Sequence, residues 1–325
     1  MRLSVPLPWM IGPLLVTAAG CMAGAPFAAS AVLRNAGQWA IGTALGLYFT
    51  PLVVGVLVSL APAIVVGIVW ALLLGAGFGA FLRWANPRNA ALDASTVFFA
   101  SAIGGASEMA VLGERHGARL DLVASAHSLR LLIVVLVVPF GFQLAGLHGL
   151  DSTVPGPQSV HAGGLAALVA LTLAGGAAMQ RVKLVNAWML GPLAVALALT
   201  ASGIELSALP KWVSNVAQLF IGVALGVRFT PAFLHTAPRW LASVGIGTLL
   251  MIVVSAVYAL AIARWFGLHP ATVLLGTSPG GIAEMCITAK VLELGVPVVT
   301  AFHVTRLAGV VLLAGPLFRW RAAVA

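Results

Sequence analysis

Ser278-Pro279-Gly280-Gly281-Ile282-Ala283-Glu284-Met285, followed by His303-Val304-Thr305-Arg306, lies among apolar runs long enough to cross a lipid bilayer. The same constellation stands 176 residues earlier, as Ile103-Gly104-Gly105-Ala106-Ser107-Glu108-Met109 and His127-Ser128-Leu129-Arg130. In both copies Glu and His are 19 residues apart and His and Arg 3 apart. A chain with little other charge therefore carries its ionisable groups in duplicate.

The surrounding composition fixes the solvent. The 325 residues are 61% hydrophobic and 8% charged, far from the roughly 25% charged residues of a soluble domain, and the mean hydropathy is +1.08. Apolar runs such as 244–263 and 296–317 match the ~20 residues a helix needs to cross a hydrocarbon core. They do not alternate, so a β-barrel does not fit. The reading is an all-α integral membrane protein with the lipid bilayer as its first partner. At that run length it has about 10 to 11 transmembrane helices besides glycine-broken elements.

The formal net charge of +9 would suggest nucleic acid in a soluble protein, but the basic residues stand singly or in pairs between apolar runs. They read as topology signals, with no nucleic-acid partner. Cys21 and Cys286 each stand alone, without Cys or His at metal-ligand spacing, so neither a disulfide nor a metal site is expected. No nucleophile elbow or phosphate loop occurs, and neither an enzyme nor a cofactor is indicated.

The duplication extends beyond the opening motif. Trp9-Met10-Ile11-Gly12-Pro13-Leu14 returns as Trp188-Met189-Leu190-Gly191-Pro192-Leu193, and QWAIGTALGLYFTP (38–51) returns as QLFIGVALGVRFTP (218–231), nine of fourteen residues being identical. Because the first of these repeats, the apolar start belongs to the mature fold and not to a cleaved signal. Two homologous membrane repeats follow, residues 1–146 and 165–325, joined by a Pro/Gly-rich loop over 147–164. Each has a helix after the tryptophan motif, a second around the ALG motif, a long third (53–82; 241–263), a glycine-broken element (92–113; 271–289) and a helix carrying His and Arg. The run 163–179 has no counterpart in the first half, so either the halves differ by one helix or the first repeat lacks its own.

Placing the loops with Arg83/Arg88, Arg115/Arg119 and Arg181/Lys183 in the cytoplasm puts eleven basic residues inside against four outside, Arg2, Lys211, Arg264 and Lys290. That bias makes the repeats inverted, as in many secondary transporters. Full crossing of the broken element would make them parallel instead.

A helix breaks at Gly-Gly in hydrocarbon only where protein or water satisfies the freed backbone groups, and the break then exposes half-helix ends that attract ions. Pro279 strengthens the second break, and Ile103 stands at that position in the first. Alternatively, the glycines only allow close helix crossing. Arg130 and Arg306 lie about ten residues into apolar runs, where an arginine costs about 2.5 to 3.5 kcal/mol and needs a partner. Glu108 and Glu284 are the expected partners, with His127 and His303 one turn before each arginine on the same face. These groups serve either as structural bridges or as a site for solute and coupling ion, with Glu or His carrying a proton. Glu114 and Lys290, at equivalent positions with opposite sign, read as loop ends. His116, His148, His161, His235 and His269 read as solvated, and Trp84, Trp212, Trp240, Trp265 and Trp320 as interfacial anchors.

The pair of motifs, W-M-[IL]-G-P-L leading into I-G-x-A-L-G and S-P-G-G-x-x-E-M leading into H-x-x-R, resembles the AbrB-duplication membrane protein family over residues 9–316. Members are labelled ammonia monooxygenase or AbrB-family regulator. The resemblance implies an inner-membrane protein related to the cation-proton antiporter and anion transporter superfamily, with inverted repeats and broken helices. A copper monooxygenase needs clustered ligands that these residues do not offer. The expectation is a secondary transporter of a small anionic solute, coupled to protons or sodium. Its site comprises Ser278, Pro279, Gly280, Gly281, Glu284, His303 and Arg306, with Gly104, Gly105, Glu108, His127 and Arg130 as counterpart. The alternatives are a membrane-embedded regulator that acts indirectly on gene expression and, least supported by the residues, an oxygenase. Substrate, coupling ion and any homo-oligomer stay open.

Overall fold

A computed structural model describes residues 6–87, 92–149, 154–231, 233 and 237–324. Arg2, Arg88 and His235 lie outside them. Fourteen helices and no strand occur among the described residues. They are α1 (Pro8–Met22), α2 (Ala31–Gly46), α3 (Pro51–Ser59), α4 (Ala61–Ala85), α5 (Ala94–Ser101), α6 (Ala106–Arg115), α7 (Leu120–Leu144), α8 (Ala162–Arg181), α9 (Ala187–Ala201), α10 (Lys211–Gly226), α11 (Pro238–Phe266), α12 (Pro270–Thr277), α13 (Ile282–Val291) and α14 (Val296–Val324).

Five of these, α4, α7, α8, α11 and α14, are long and apolar enough to cross a membrane, which makes this a multi-pass membrane protein. Helices α2 and α3 together form a sixth candidate span, bent by 87°. The remaining apolar helices, including the 15-residue α1 and α9, are too short to cross ~30 Å alone at 1.5 Å per residue. The expected long third helix of the first half is divided: Pro51–Ser59 forms its own helix, with Thr50 Oγ1 accepting from the Val53 N–H, and Pro62 opens the next.

Glycines decide how the short helices pair. Any Cβ at Gly42 of α2 would collide with the Met189 carbonyl of α9, and one at Gly222 of α10 with the Met10 carbonyl of α1. Gly46 lies against the Leu193 carbonyl and Gly226 against the Leu14 carbonyl in the same way. So the tryptophan-motif helix of each half packs on the ALG-motif helix of the other, and the two halves interlock. Backbones approach this closely only where side chains are absent. Gly42→Ala and Gly222→Ala are each expected to destabilise by about 1 to 3 kcal/mol through overpacking. Gly12→Ala, with open space around its position, should be neutral or stabilising by up to about 1 kcal/mol. Thermal unfolding in detergent separates the two outcomes.

Helices α2 and α10 also touch, Gly37 meeting the Ala217 carbonyl, and their ends pair with opposite polarity. Arg34, in the first turn of α2, shares a cavity with Arg228, just past the end of α10. Tyr48, just past the end of α2, shares another with Lys211, the first residue of α10. Along α2, Arg34 and Tyr48 are separated by about 20 Å at 1.5 Å per residue.

Two expectations about aromatic and histidine positions need correction. Trp240 is not an interfacial anchor: it is fully buried and its indole donates to the Leu122 carbonyl of α7 at 3.2 Å. Its neighbour Arg239 reaches the surface while the ring turns inward between helices. Trp84, Trp212, Trp265 and Trp320 are exposed as expected. His116 is not freely solvated, because it packs against Phe99 and Phe318 and bonds the Leu112 carbonyl.

Candidate functional site

Both glycine motifs break their element. In the first, α5 ends at Ser101 and α6 begins at Ala106; in the second, α12 ends at Thr277 and α13 begins at Ile282. The residues that close the first half-helices have extended backbone, Ala102 at φ −59, ψ 134 and Ser278 at φ −61, ψ 149. Proline is therefore not required, since Ile103 stands in a break of the same form as Pro279. Other residues of the motif explain it. Gly104 lies against Met109 and Gly280 against Met285, each with its Cβ position 3 Å or less from the methionine side chain. Gly105 and Gly281 are the N-caps of α6 and α13, and the carboxylates of Glu108 and Glu284 fold back over them where a Cβ would stand. A glutamate three residues after the cap is the partner an open helix N-terminus favours. The spacing G-G-x-x-E-M thus encodes a half-helix start with its own carboxylate. Gly281→Ala is accordingly expected to displace the Glu284 side chain and to lower the melting temperature, measured by thermal unfolding in detergent.

The arginines do not pair with these carboxylates. Among the described residues the one salt bridge is Arg119–Asp121, at the surface. Arg130 donates instead to the Ala102 carbonyl at 3.1 Å and to His127 Nδ1 at 2.8 Å. Arg306 donates to the carbonyls of Ser278 and, at 2.7 Å, of Gly280. Each arginine serves the carbonyl end of a half-helix, where the dipole is negative and no intrahelical donor remains. The glutamate sits at the opposite, positive end of the break. That separation is why the expected Glu–Arg bridges do not form.

The histidines hold the same break from one turn earlier. His127 Nε2 bonds the Phe99 carbonyl at 2.9 Å and His303 Nε2 the Leu275 carbonyl at 2.8 Å, both across 28 residues. A carbonyl only accepts, so Nε2 carries the proton and Nδ1 is left as an acceptor. In the first copy Arg130 fills that acceptor. In the second His303 Nδ1 is buried without a partner, because Arg306 has turned to Gly280. One sequence motif thus stands in two hydrogen-bonded arrangements.

The two breaks meet at a single cavity of about 170 Å³. It is lined by Gly104, Gly105, Glu108, His127 and Arg130 of the first copy and by Gly280, Gly281, Glu284 and Arg306 of the second. Ser278, Pro279 and His303 stand behind this lining, Ser278 and His303 being fully buried. Glu284 is nine-tenths buried with no ion pair among the described residues. Two further arginines line the cavity, Arg34 and Arg228. Sequence reasoning treated these as loop markers. A signal was present: Arg228 stands where the first copy has Tyr48, and Arg34 where the second has Ser214. No group of three or more His, Cys, Asp or Glu that could hold a metal converges among the described residues, and Cys21 and Cys286 are both free and buried.

Interrupted helices with buried charge around a shared internal cavity define a polytopic membrane protein built around a polar centre. Residues 9–322 match the family model described as "Transition state regulatory protein AbrB", and the chain belongs to the AbrB family. It is similar to the Escherichia coli (strain K12) protein named "Putative regulator AbrB", 26% identical over 243 residues, covering 73% of this chain and 68% of that one. It is also similar to Bacillus subtilis (strain 168) "Uncharacterized protein YhjN", 25% identical over 341 residues, covering 96% of this chain and 86% of the relative.

Proposed function

We propose that this protein is an inner-membrane secondary transporter of a small anionic solute, coupled to protons or sodium. The observation that carries the reading is the cavity shared by both breaks, where Arg34, Arg130, Arg228 and Arg306 outnumber Glu108 and Glu284. Arginine stays protonated at any physiological pH, and the N-termini of α6 and α13 add partial positive charge to the same space. An anion is the solute such a surplus favours. The volume of about 170 Å³ compares with the ~150 Å³ that encloses benzene, so the solute has on the order of ten heavy atoms or fewer. The opposite polarity of α2 and α10, which carry the same repeated motif, supports inverted repeats.

On this reading the protein is a carrier and not an enzyme, and the unpaired Glu284 is the group that takes up the coupling proton or faces the coupling cation. Purified protein in liposomes, offered mono- and dicarboxylates, phosphate and sulfate under imposed pH and sodium gradients, is expected to accumulate at least one of them. No uptake across that panel, with folded protein in the membrane, would sink the proposal. The relatives' family name favours a second reading, a membrane-embedded regulator that alters gene expression indirectly. It predicts that Glu284→Gln changes a transcript profile in cells while leaving solute movement untouched.

A further inference from the structure

The two copies of the broken element are not equally packed. In α13 every residue from Ile282 to Ala289 is buried, whereas in α6 only Met109 and Gly113 are. Two cavities lie along α6, the central one and a neighbour of about 480 Å³ lined by Ala106, Ala110 and Arg228. The counterpart of that open side is a depression of about 290 Å³ at the other end of the α2/α10 pair. It is lined by Tyr48, Lys211, Gln218, Cys286 and Lys290, and it stops short of either glycine break. Gln218 repeats Gln38 of the central cavity, and Cys286 repeats Ala110 of the open one.

We infer that this depression is a second vestibule for the same small anion, on the membrane face opposite Arg34 and Arg228, reached from the breaks when α13 loosens and α6 packs. The inference rests on the transport reading. Four observations point to it. The arginines of the first vestibule are not repeated in sequence, since Ser214 and Tyr48 stand in their places, yet the positive charge is restored by Lys211 and Lys290. No acidic side chain lines the depression, and the two lysines are close enough to repel each other. Arg130 and Arg306 already display two settings of one switch, the histidine-bound and the glycine-bound, so the motif has two arrangements to exchange. The basic-residue bias independently places Arg34 and Arg228 in the cytoplasm and Lys211 and Lys290 outside.

Native and introduced thiols test it. In Cys21→Ala protein Cys286 is the remaining cysteine, and adding Cys286→Ala with Ala110→Cys moves the thiol to the equivalent position of the first copy. Both are reconstituted in sealed vesicles of known orientation and treated with membrane-impermeant methanethiosulfonates carrying either a sulfonate or a trimethylammonium group. The thiol at 110 is expected to react from the cytoplasmic face, and Cys286, fully buried beneath the Thr300 hydroxyl in this arrangement, from the outer face only and more slowly, as α13 loosens. Relative to free cysteine, Cys286 should favour the sulfonate reagent by about tenfold, since two nearby cations raise the local concentration of an anion. Lys211→Glu with Lys290→Glu should reverse the preference, and Lys290→Gln should give an intermediate ratio. Cys286 inert from both faces, reactive from the same face as position 110, or indifferent to reagent charge would overturn the inference. Liposome uptake is scored separately, so uptake with an inert Cys286 removes the vestibule and keeps the transporter.

Discussion

Glu284→Gln is expected to lower gradient-driven uptake by about 100-fold or more, the low end of what removing a positioned proton-transfer group costs, while solute-for-solute exchange survives. The carboxylate is nine-tenths buried, folds over Gly281 at the start of α13, and has no ion pair among the described residues. A buried carboxylate with no ion pair is free to change charge, which a tightly bridged one is not. Glutamine has the same shape but cannot lose or gain a proton. On the transport proposal it fixes the site in one charge state, so the solute would still exchange but no proton would travel with it. Because no bridge is broken, melting temperature should stay near wild type. Uptake under a pH gradient and under a sodium gradient separates the coupling ions. If the variant keeps wild-type uptake under both, Glu284 has no part in coupling.

The sequence made the breaks legible because each part of the motif has a local physical cause. Two glycines remove the Cβ atoms that Met109, Met285 and the two carboxylates would strike, and His-x-x-Arg places two donors on one helix face. What those donors would bond was not legible. Matching opposite charges favours Glu–Arg bridges, but a broken helix creates carbonyls that exist only in three dimensions, and these lie nearer the arginines than the carboxylates do. Pro279 likewise suggested an unequal pair of breaks, although the extended backbone at Ala102 shows that glycine with a bonded carbonyl suffices. Apolar periodicity gives each helix a buried face without naming its partner, so the cross-packing of α1 on α10 and α2 on α9 could not be foreseen. Arg228 escaped notice for another reason: it looked like a loop charge, and only the fold of α10 brings it to the cavity.

Arg306→Ala should be the more destabilising of the two arginine deletions. Interhelical side-chain bonds in membranes average only about 0.6 kcal/mol, because alternative partners exist in the unfolded-in-membrane state. The Arg306 bonds should exceed that value. Their donor is charged, and their acceptors, the Ser278 and Gly280 carbonyls, belong to a break that has no helical donor to offer. At about 1.5 to 3 kcal/mol for each bond to a charged group, losing both implies roughly 3 kcal/mol or more. Arg130 also makes two bonds, to the Ala102 carbonyl and to His127 Nδ1, but the bare His303 Nδ1 of the second copy shows that this acceptor can go without a donor, so Arg130→Ala should cost less. Arg306→Lys keeps the charge but replaces a fork that spans two carbonyls with a single ammonium, and it should fall between wild type and alanine. Thermal unfolding in one detergent for all three variants gives the order. An Arg306→Ala protein as stable as wild type would mean that water from the cavity already satisfies these carbonyls.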